Sequence, residues 1–192
     1  YMPKSEKLNE LHMTYRKVFD AEDIVLGDGN INSRMVLVGE APGREEVQQG
    51  KPFVGAAGKN LMEFLNRLEV KRENIYITNT IKYRLSKVNT DTGRIINRAS
   101  TKKEIEENRG YLLKEINIIR PEFIITLGNT PLYAISGRNI KIGDVHGKIQ
   151  KIDVLGIEYK LFPLYHPASI IYNRKLKVVY YEDIEKLREI TR

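Results

Sequence analysis

Met35-Val36-Leu37-Val38 is an unbroken apolar run that stops at Gly39-Glu40-Ala41-Pro42-Gly43. A second glycine-rich turn, Gly50-Lys51-Pro52-Phe53-Val54-Gly55-Ala56-Ala57-Gly58, follows closely. An apolar run without alternation, bounded by turn residues, predicts a strand buried on both faces. After the second turn Leu61, Phe64, Leu65 and Leu68 fall at i, i+3, i+4 and i+7, the spacing of an amphipathic helix. A strand, a glycine turn and a helix in that order aim backbone N–H groups at a small flat ligand carrying phosphate, and Phe53 puts one aromatic ring beside them. A third element, Leu164-Tyr165-His166-Pro167-Ala168, lies more than a hundred residues downstream.

The rest of the chain repeats the alternation. Residues 75–78 predict a second strand ending at Asn79, and residues 104–119 a helix with Ile105, Leu112, Leu113, Ile116 and Ile119 on its apolar side. Pro121 stops that helix, and residues 123–127 form a third strand closed by Gly128. Asn129 is placed to cap a short helix through Ile135. Residues 148–163 alternate around Gly156 as a hairpin feeding a strand, and residues 181–190 form a terminal helix. This order predicts an α/β fold, a three-layer α/β/α sandwich with a central, mostly parallel sheet. Ligands of such sheets bind beyond the carboxyl ends of the strands. The Gly39 turn, Asn79 and the Tyr165-His166-Pro167 turn each follow a strand, so all three are expected at one cleft.

A chain of 192 residues is expected to form one domain, with residues 1–26 a helical N-terminal extension and Tyr1, ahead of Met2, a residue left from expression. No apolar stretch reaches membrane-spanning length and no secretory signal precedes the first helix. The expectation is an intracellular, cytoplasmic protein, nucleoid-associated if prokaryotic. The absence of cysteine excludes disulfides, thiolate nucleophiles and Cys-ligated metals or clusters, and the three scattered histidines argue against a zinc site. No metal is expected. The net charge is +7, and residues 82–103 carry seven cationic side chains against the single carboxylate of Asp91. With Asn89, Asp91 and Gly93 as turn residues this stretch reads as an exposed basic loop, its Lys82, Arg84, Arg94 and Arg98 suited to a phosphate backbone.

Four segments in this order and spacing resemble the uracil-DNA glycosylase superfamily, most nearly its family-4 branch: Gly39-Glu40-Ala41-Pro42-Gly43-Arg44-Glu45-Glu46, then Gly50-Lys51-Pro52-Phe53-Val54-Gly55 with Ala57-Gly58, then Tyr76-Ile77-Thr78-Asn79 with Lys82 and Arg84, and His166-Pro167-Ala168, with Asn97-Arg98 between the last two. The resemblance runs from about Gly27 to the C-terminus. It implies hydrolysis of the N-glycosidic bond of uracil in single- or double-stranded DNA, with the base flipped out, an abasic site as product, no cofactor and a monomeric enzyme. Phe53 then stacks on the base. One Asn79 amide presents an acceptor and a donor to the N3–H and O4 of uracil, the reverse of what cytosine offers. His166 donates to the charge that develops on O2, helped by the Ala41 backbone N–H. Glu40 and Glu46 are the available carboxylates. Either can orient water or steady the cationic sugar, and Glu46 can instead wall off the base C5. Ser169 is a phosphate contact, and Ile170 or Ile171 either fills the gap left by the base or belongs to the core.

Two departures bear on chemistry. Family-4 members usually bind an iron–sulfur cluster through four cysteines, whereas Tyr83 occupies one expected position and the chain has no cysteine. Residues 86–96 lengthen the usual connection and resemble the basic loop of a branch that traps its abasic product covalently through a histidine; Asn97 stands in that place, and an amide is no such nucleophile. Hydrolysis without trapping is expected. A glycosylase-like module that binds uracil or damaged DNA without turnover is the alternative reading, and a hydrolase or transferase of free nucleotides a more distant one.

Overall fold

A computed structural model describes all of residues 1–192. The chain runs α1 (Lys4–Val18), β1 (Asp28–Gly29), β2 (Met35–Gly39), α2 (Arg44–Gln49), α3 (Gly55–Leu68), β3 (Tyr76–Asn79), β4 (Ser86–Val88), β5 (Ile95–Asn97), α4 (Lys102–Ile119), β6 (Phe123–Leu127), α5 (Asn129–Ser136), α6 (Ile142–Val145), β7 (Gln150–Val154), β8 (Ile157–Leu164), α7 (Pro167–Ile170) and α8 (Arg174–Thr191). Six strands form the central sheet in the order β1-β3-β2-β6-β8-β7. The four inner strands are parallel, with Leu37 opposite both Ile77 and Ile125, and Ile125 opposite Phe162. The edge strands β1 and β7 pair antiparallel.

The unbroken apolar runs are explained by helices on both faces. Val36, Val38 and Ile124 pack with Leu112, Ile116 and Leu132 of α4 and α5, while Met35, Leu37 and Ile125 pack with Leu61, Phe64 and Leu65 of α3 and Ile184 of α8. This is the three-layer α/β/α architecture with a mostly parallel sheet. The chain leaves β2 for β3 on one side, while β6 flanks it on the other, so the carboxyl end of β2 is where connections diverge and a crevice opens.

Several details differ from the sequence expectation. The N-terminal helix is built into the domain: Leu8 and Tyr15 lie in the same core as α4, and the Tyr15 hydroxyl accepts from the Lys82 N–H at 2.9 Å while bonding Asn108 Oδ1 at 2.5 Å. Asn129 does not cap its own helix; Gly128 holds that position, and Asn129 Oδ1 accepts the Ile142 N–H at 3.0 Å. The terminal helix begins earlier, at Arg174, capped by Asn173 Oδ1 on the Leu176 N–H at 3.1 Å. The basic loop is a separate two-stranded ribbon, β4 paired antiparallel with β5. No helix is long and apolar enough to cross a membrane.

Candidate active site

Gly39 ends β2 where the crevice opens. A Cβ at this position would stand 2.5 Å from Asn79 Oδ1 and 2.7 Å from the Phe53 ring, so glycine lets the ring and the amide close on the same point. Phe53 holds a positive φ of 51°, which a phenylalanine does not adopt without support. Arg72 supplies it: its guanidinium donates to the Phe53 carbonyl at 2.8 Å and the Pro52 carbonyl at 2.6 Å. From the other side α3 presses on the turn, where a Cβ on Gly58 would meet the Phe53 carbonyl at 2.8 Å. The ring is thus fixed at the wall of a cleft of about 690 Å³, whose lining includes Glu40, Ala41, Glu46, Phe53, Asn79 and His166. The elements expected to converge do so.

Asn79 is buried at the end of β3, and its side-chain amide takes no hydrogen bond from the protein, while its main-chain carbonyl accepts from Lys82 Nζ at 2.8 Å. Both donor and acceptor are left for a ligand. His166 follows β8. Its Nδ1 accepts the Ala168 N–H at 3.0 Å, which leaves the ring proton on Nε2, facing away from that bond. His166 keeps solvent contact, but desolvation by the groups packed around its ring lowers its pKa below the ordinary histidine value, partly countered by the charge of Glu40. The ring is therefore a neutral N–H donor at neutral pH. Behind it, a Cβ on Gly128 would stand 3.3 Å from His166 Cβ, and the preceding Tyr165 lies against His146, ring centroids 4.8 Å apart, while His146 Nδ1 bonds buried Asp183 at 2.6 Å.

The two candidate carboxylates separate. Glu46 is buried with both oxygens engaged, Oε2 accepting the Gly43 N–H at 3.1 Å and Oε1 the Val54 N–H at 3.2 Å. It ties the two glycine turns together, each of its oxygens held by a backbone N–H. Glu40 engages only Oε2, which accepts from the Ser100 hydroxyl at 2.8 Å and the Thr130 hydroxyl at 2.7 Å, at the starts of α4 and α5. Oε1 is unengaged within the cleft lining. The Ala41 backbone N–H also has no partner among the turn and loop bonds.

The expected DNA contacts need correction. Lys82 is 1% exposed; its ammonium sits 2.7 Å from Glu115 Oε2 and donates to Thr78 Oγ1 at 2.9 Å, so it cannot reach a phosphate. Arg98 is held by Glu104 in a paired contact at 2.6 and 3.0 Å and lines the cleft with its root fixed. Arg84 donates to Asn97 Oδ1 at 2.8 Å, and Arg94 is exposed on the ribbon. Ser169 is exposed, its hydroxyl donating to the His166 carbonyl at 2.7 Å. Ile170 is core, whereas Ile171 and Tyr172 project into solvent. Sequence reasoning missed Arg72, Ser100 and Thr130; beside Ser100 a signal was present, since Thr101 with Glu104 three residues on is a helix-start pattern.

The iron–sulfur ligand set does not fit this chain, which has no thiolate to offer. At Tyr83 the space is filled by rings: Phe19 lies between Tyr83, at 5.2 Å, and Tyr15, at 4.6 Å, and Asn108 donates to the Tyr83 hydroxyl at 3.2 Å. Aromatic packing and buried hydrogen bonds brace the segments that lead into the cleft.

Comparison with known proteins bears on this geometry. The family model described as the uracil DNA glycosylase superfamily matches residues 26–187. The chain is 37% identical to a type-4 uracil-DNA glycosylase of Archaeoglobus fulgidus, over 86% of this chain and 81% of that one. It is 38% identical to a protein of the same description from Saccharolobus solfataricus, over 88% and 76% of the respective chains, and 38% identical to one from Thermotoga maritima, over 86% and 82%.

Proposed function

The chain belongs to the uracil DNA glycosylase superfamily, and on that premise we propose that it is a monofunctional uracil-DNA glycosylase of DNA repair, hydrolysing the N-glycosidic bond and leaving an abasic site. The observation that carries the reading is the amide of Asn79, unpaired by the protein and turned to the cleft beside a braced ring. A complementary base edge satisfies it, each such hydrogen bond contributing about 0.5–1.5 kcal/mol net. Uracil N3–H and O4 supply that edge, and with the amide in that orientation cytosine, which offers the reverse pattern, meets donor with donor.

In the proposed reaction the flipped uracil stacks on Phe53, a contact worth about 1–3 kcal/mol per base. The C1′–N1 bond breaks with its electron pair leaving on the base, and the charge collects on O2. His166 Nε2–H and the Ala41 N–H meet that oxygen, a stabilisation realised only as charge develops. Water adds its oxygen to the cationic C1′, and its proton passes through solvent to the departed uracil anion; Glu40, with Oε2 anchored and Oε1 free, orients that water and steadies the sugar. Glu46 is a positioning residue that fixes the turns, and its location beside the cleft also suits exclusion of a methyl at C5. Arg84, Arg94 and Ser169 contact the strand as a monomer binds it.

Incubation with a labelled uracil-containing oligonucleotide followed by alkali tests the reading, with His166→Ala and Asn79→Ala alongside. Strand scission by the wild type and loss in both variants is expected. Tight binding without scission would replace this reading by a non-catalytic uracil- or DNA-binding module, and release from free nucleotides alone would overturn both.

A further inference from the structure

The ribbon β4–β5 carries an apolar pair in an unusual position. Val88 and Ile95 face each other across the two strands, and each is 62% exposed. Each has a cation as chain neighbour, Lys87 and Arg94, both exposed and free of ion pairs, against the one carboxylate of Asp91 at the tip. The ribbon is not loose. Its tip is closed by the Asn89 N–H on the Arg94 carbonyl at 2.8 Å, and its root by the Arg98 N–H on the Leu85 carbonyl at 3.1 Å and by the Arg98–Glu104 pair. Leu85, Asn97 and Arg98 at that root line the cleft.

Sheet order sets the ribbon's place. It follows β3, while the loop bearing Ile171 and Tyr172 follows β8, and these strands stand on opposite sides of β2 and β6. An exposed apolar pair on the ribbon and the exposed Ile171 and Tyr172 thus lie on opposite flanks of the cleft. We infer that the ribbon is a second wedge for double-stranded DNA: Val88 and Ile95 pack against the base step beside the extruded nucleotide while Lys87 and Arg94 hold the neighbouring phosphates. Apolar side chains between flanking cations match a polyanion whose bases offer apolar faces once unstacked. This rests on the glycosylase reading and adds duplex DNA as the substrate class the ribbon serves. In a single strand there is little pairing or stacking to overcome, so the wedge contributes there hardly at all.

The test compares V88S/I95S and K87S/R94S with the wild type on matched single- and double-stranded uracil oligonucleotides. Both pairs are exposed, so the fold is untouched, as thermal unfolding would verify. V88S/I95S is expected to lower kcat/KM on duplex on the order of tenfold, part of the unstacking of one base step, and to leave the single strand unchanged. It should also abolish the rise in 2-aminopurine fluorescence beside the lesion on binding, a signal read without turnover. K87S/R94S should weaken binding to both substrates and reduce the salt slope on duplex by about 2. Equal losses on both substrates for V88S/I95S, no loss, or a wild-type self-association abolished by V88S/I95S would overturn the wedge. A wild type that cleaves neither substrate would instead defeat the glycosylase reading, with the fluorescence measurement still reporting on the ribbon.

Discussion

Lys82 Nζ stands 2.7 Å from Glu115 Oε2 with both side chains sealed inside the protein, and the same ammonium holds the Asn79 carbonyl at 2.8 Å. Glu115 also accepts from the Tyr76 hydroxyl at 2.7 Å and from Thr78 Oγ1 at 3.1 Å. One buried ion pair thus joins α4 to the end of β3 behind Asn79, the residue proposed to read the base. Removing one member leaves an uncompensated charge, and such losses run about 3–5 kcal/mol. Lys82→Met is expected to destabilise by that order in urea unfolding. Pairing it with Glu115→Leu should not restore stability, because Tyr76 and Thr78 then lose their acceptor. Full recovery in the double variant would show that the charge pair stands alone.

Acid should unfold the protein through carboxylates held in these pairs. Burial pushes the Glu115 carboxyl up, but the Lys82 ammonium, the bonds from Lys82 and Tyr76, and His12 at 3.7 Å outweigh it and bring the pKa to about 2, against 4.5 for a free carboxylate. Glu104 is also near 2, chiefly through its bonds from Arg98. The unfolded chain therefore takes up these protons first. Their stabilisation is complete above the unfolded value and disappears as pH falls from about 4.5 toward 2. Melting temperatures should be level above that window and decline steeply within it, and Arg98→Ala should make the decline shallower. A profile unchanged in Arg98→Ala would remove Glu104 from the account.

Arg72 supports the strained Phe53 backbone from outside the cleft, through carbonyls at 2.6 and 2.8 Å. Hydrogen bonds from a charged donor are worth about 1.5–3 kcal/mol, and positive φ at a non-glycine residue costs about 1–3 kcal/mol. Arg72→Ala should relax the turn and misplace the ring. KM for uracil DNA should rise and kcat fall, while the melting temperature shifts by only a few degrees. Arg72→Lys should recover little, since one ammonium cannot span two carbonyls. An unchanged KM in Arg72→Ala would mean that the turn holds its shape without the guanidinium.

How much of this was legible in the sequence depended on the range of the interactions. The strands at residues 35–39 and 123–127 and the face of α3 announced themselves through local apolar spacing, and the cleft followed from glycine, amide and histidine each ending a strand. Lys82 was misread because a charge count along the chain cannot see a partner on another element. Yet Asn108 and Glu115 interrupt the buried stripe of α4 at helical spacing from Leu112 and Ile119, a sign that something polar was to be met inside. Glu40 and Glu46 look alike in sequence; only the fold shows that Gly43 and Val54 approach Glu46 from two separate turns. The ribbon was taken for a loop because three-residue strands with no second sheet to cover them leave too short a pattern.

The bond from the Ala168 N–H to His166 Nδ1 fixes both the tautomer and the pH response of the site. Desolvation lowers the His166 pKa and the Glu40 charge raises it by less, so the titration midpoint should lie below the usual 6.5. Because the neutral ring is the donor, kcat should stay level through neutrality and decline only below that lowered value. Replacing Glu40 by Gln removes the opposing charge and should move the midpoint lower still, as followed by NMR of the ring protons. His166→Ala should lose on the order of 100- to 1000-fold in kcat, the range for one transition-state donor. Its uracil-DNA affinity should change far less, since the bond to O2 strengthens only as the base departs. A midpoint above 6.5 would mean a charged imidazolium at the site, and the charge on O2 would then be met by an ion pair instead of a neutral hydrogen bond.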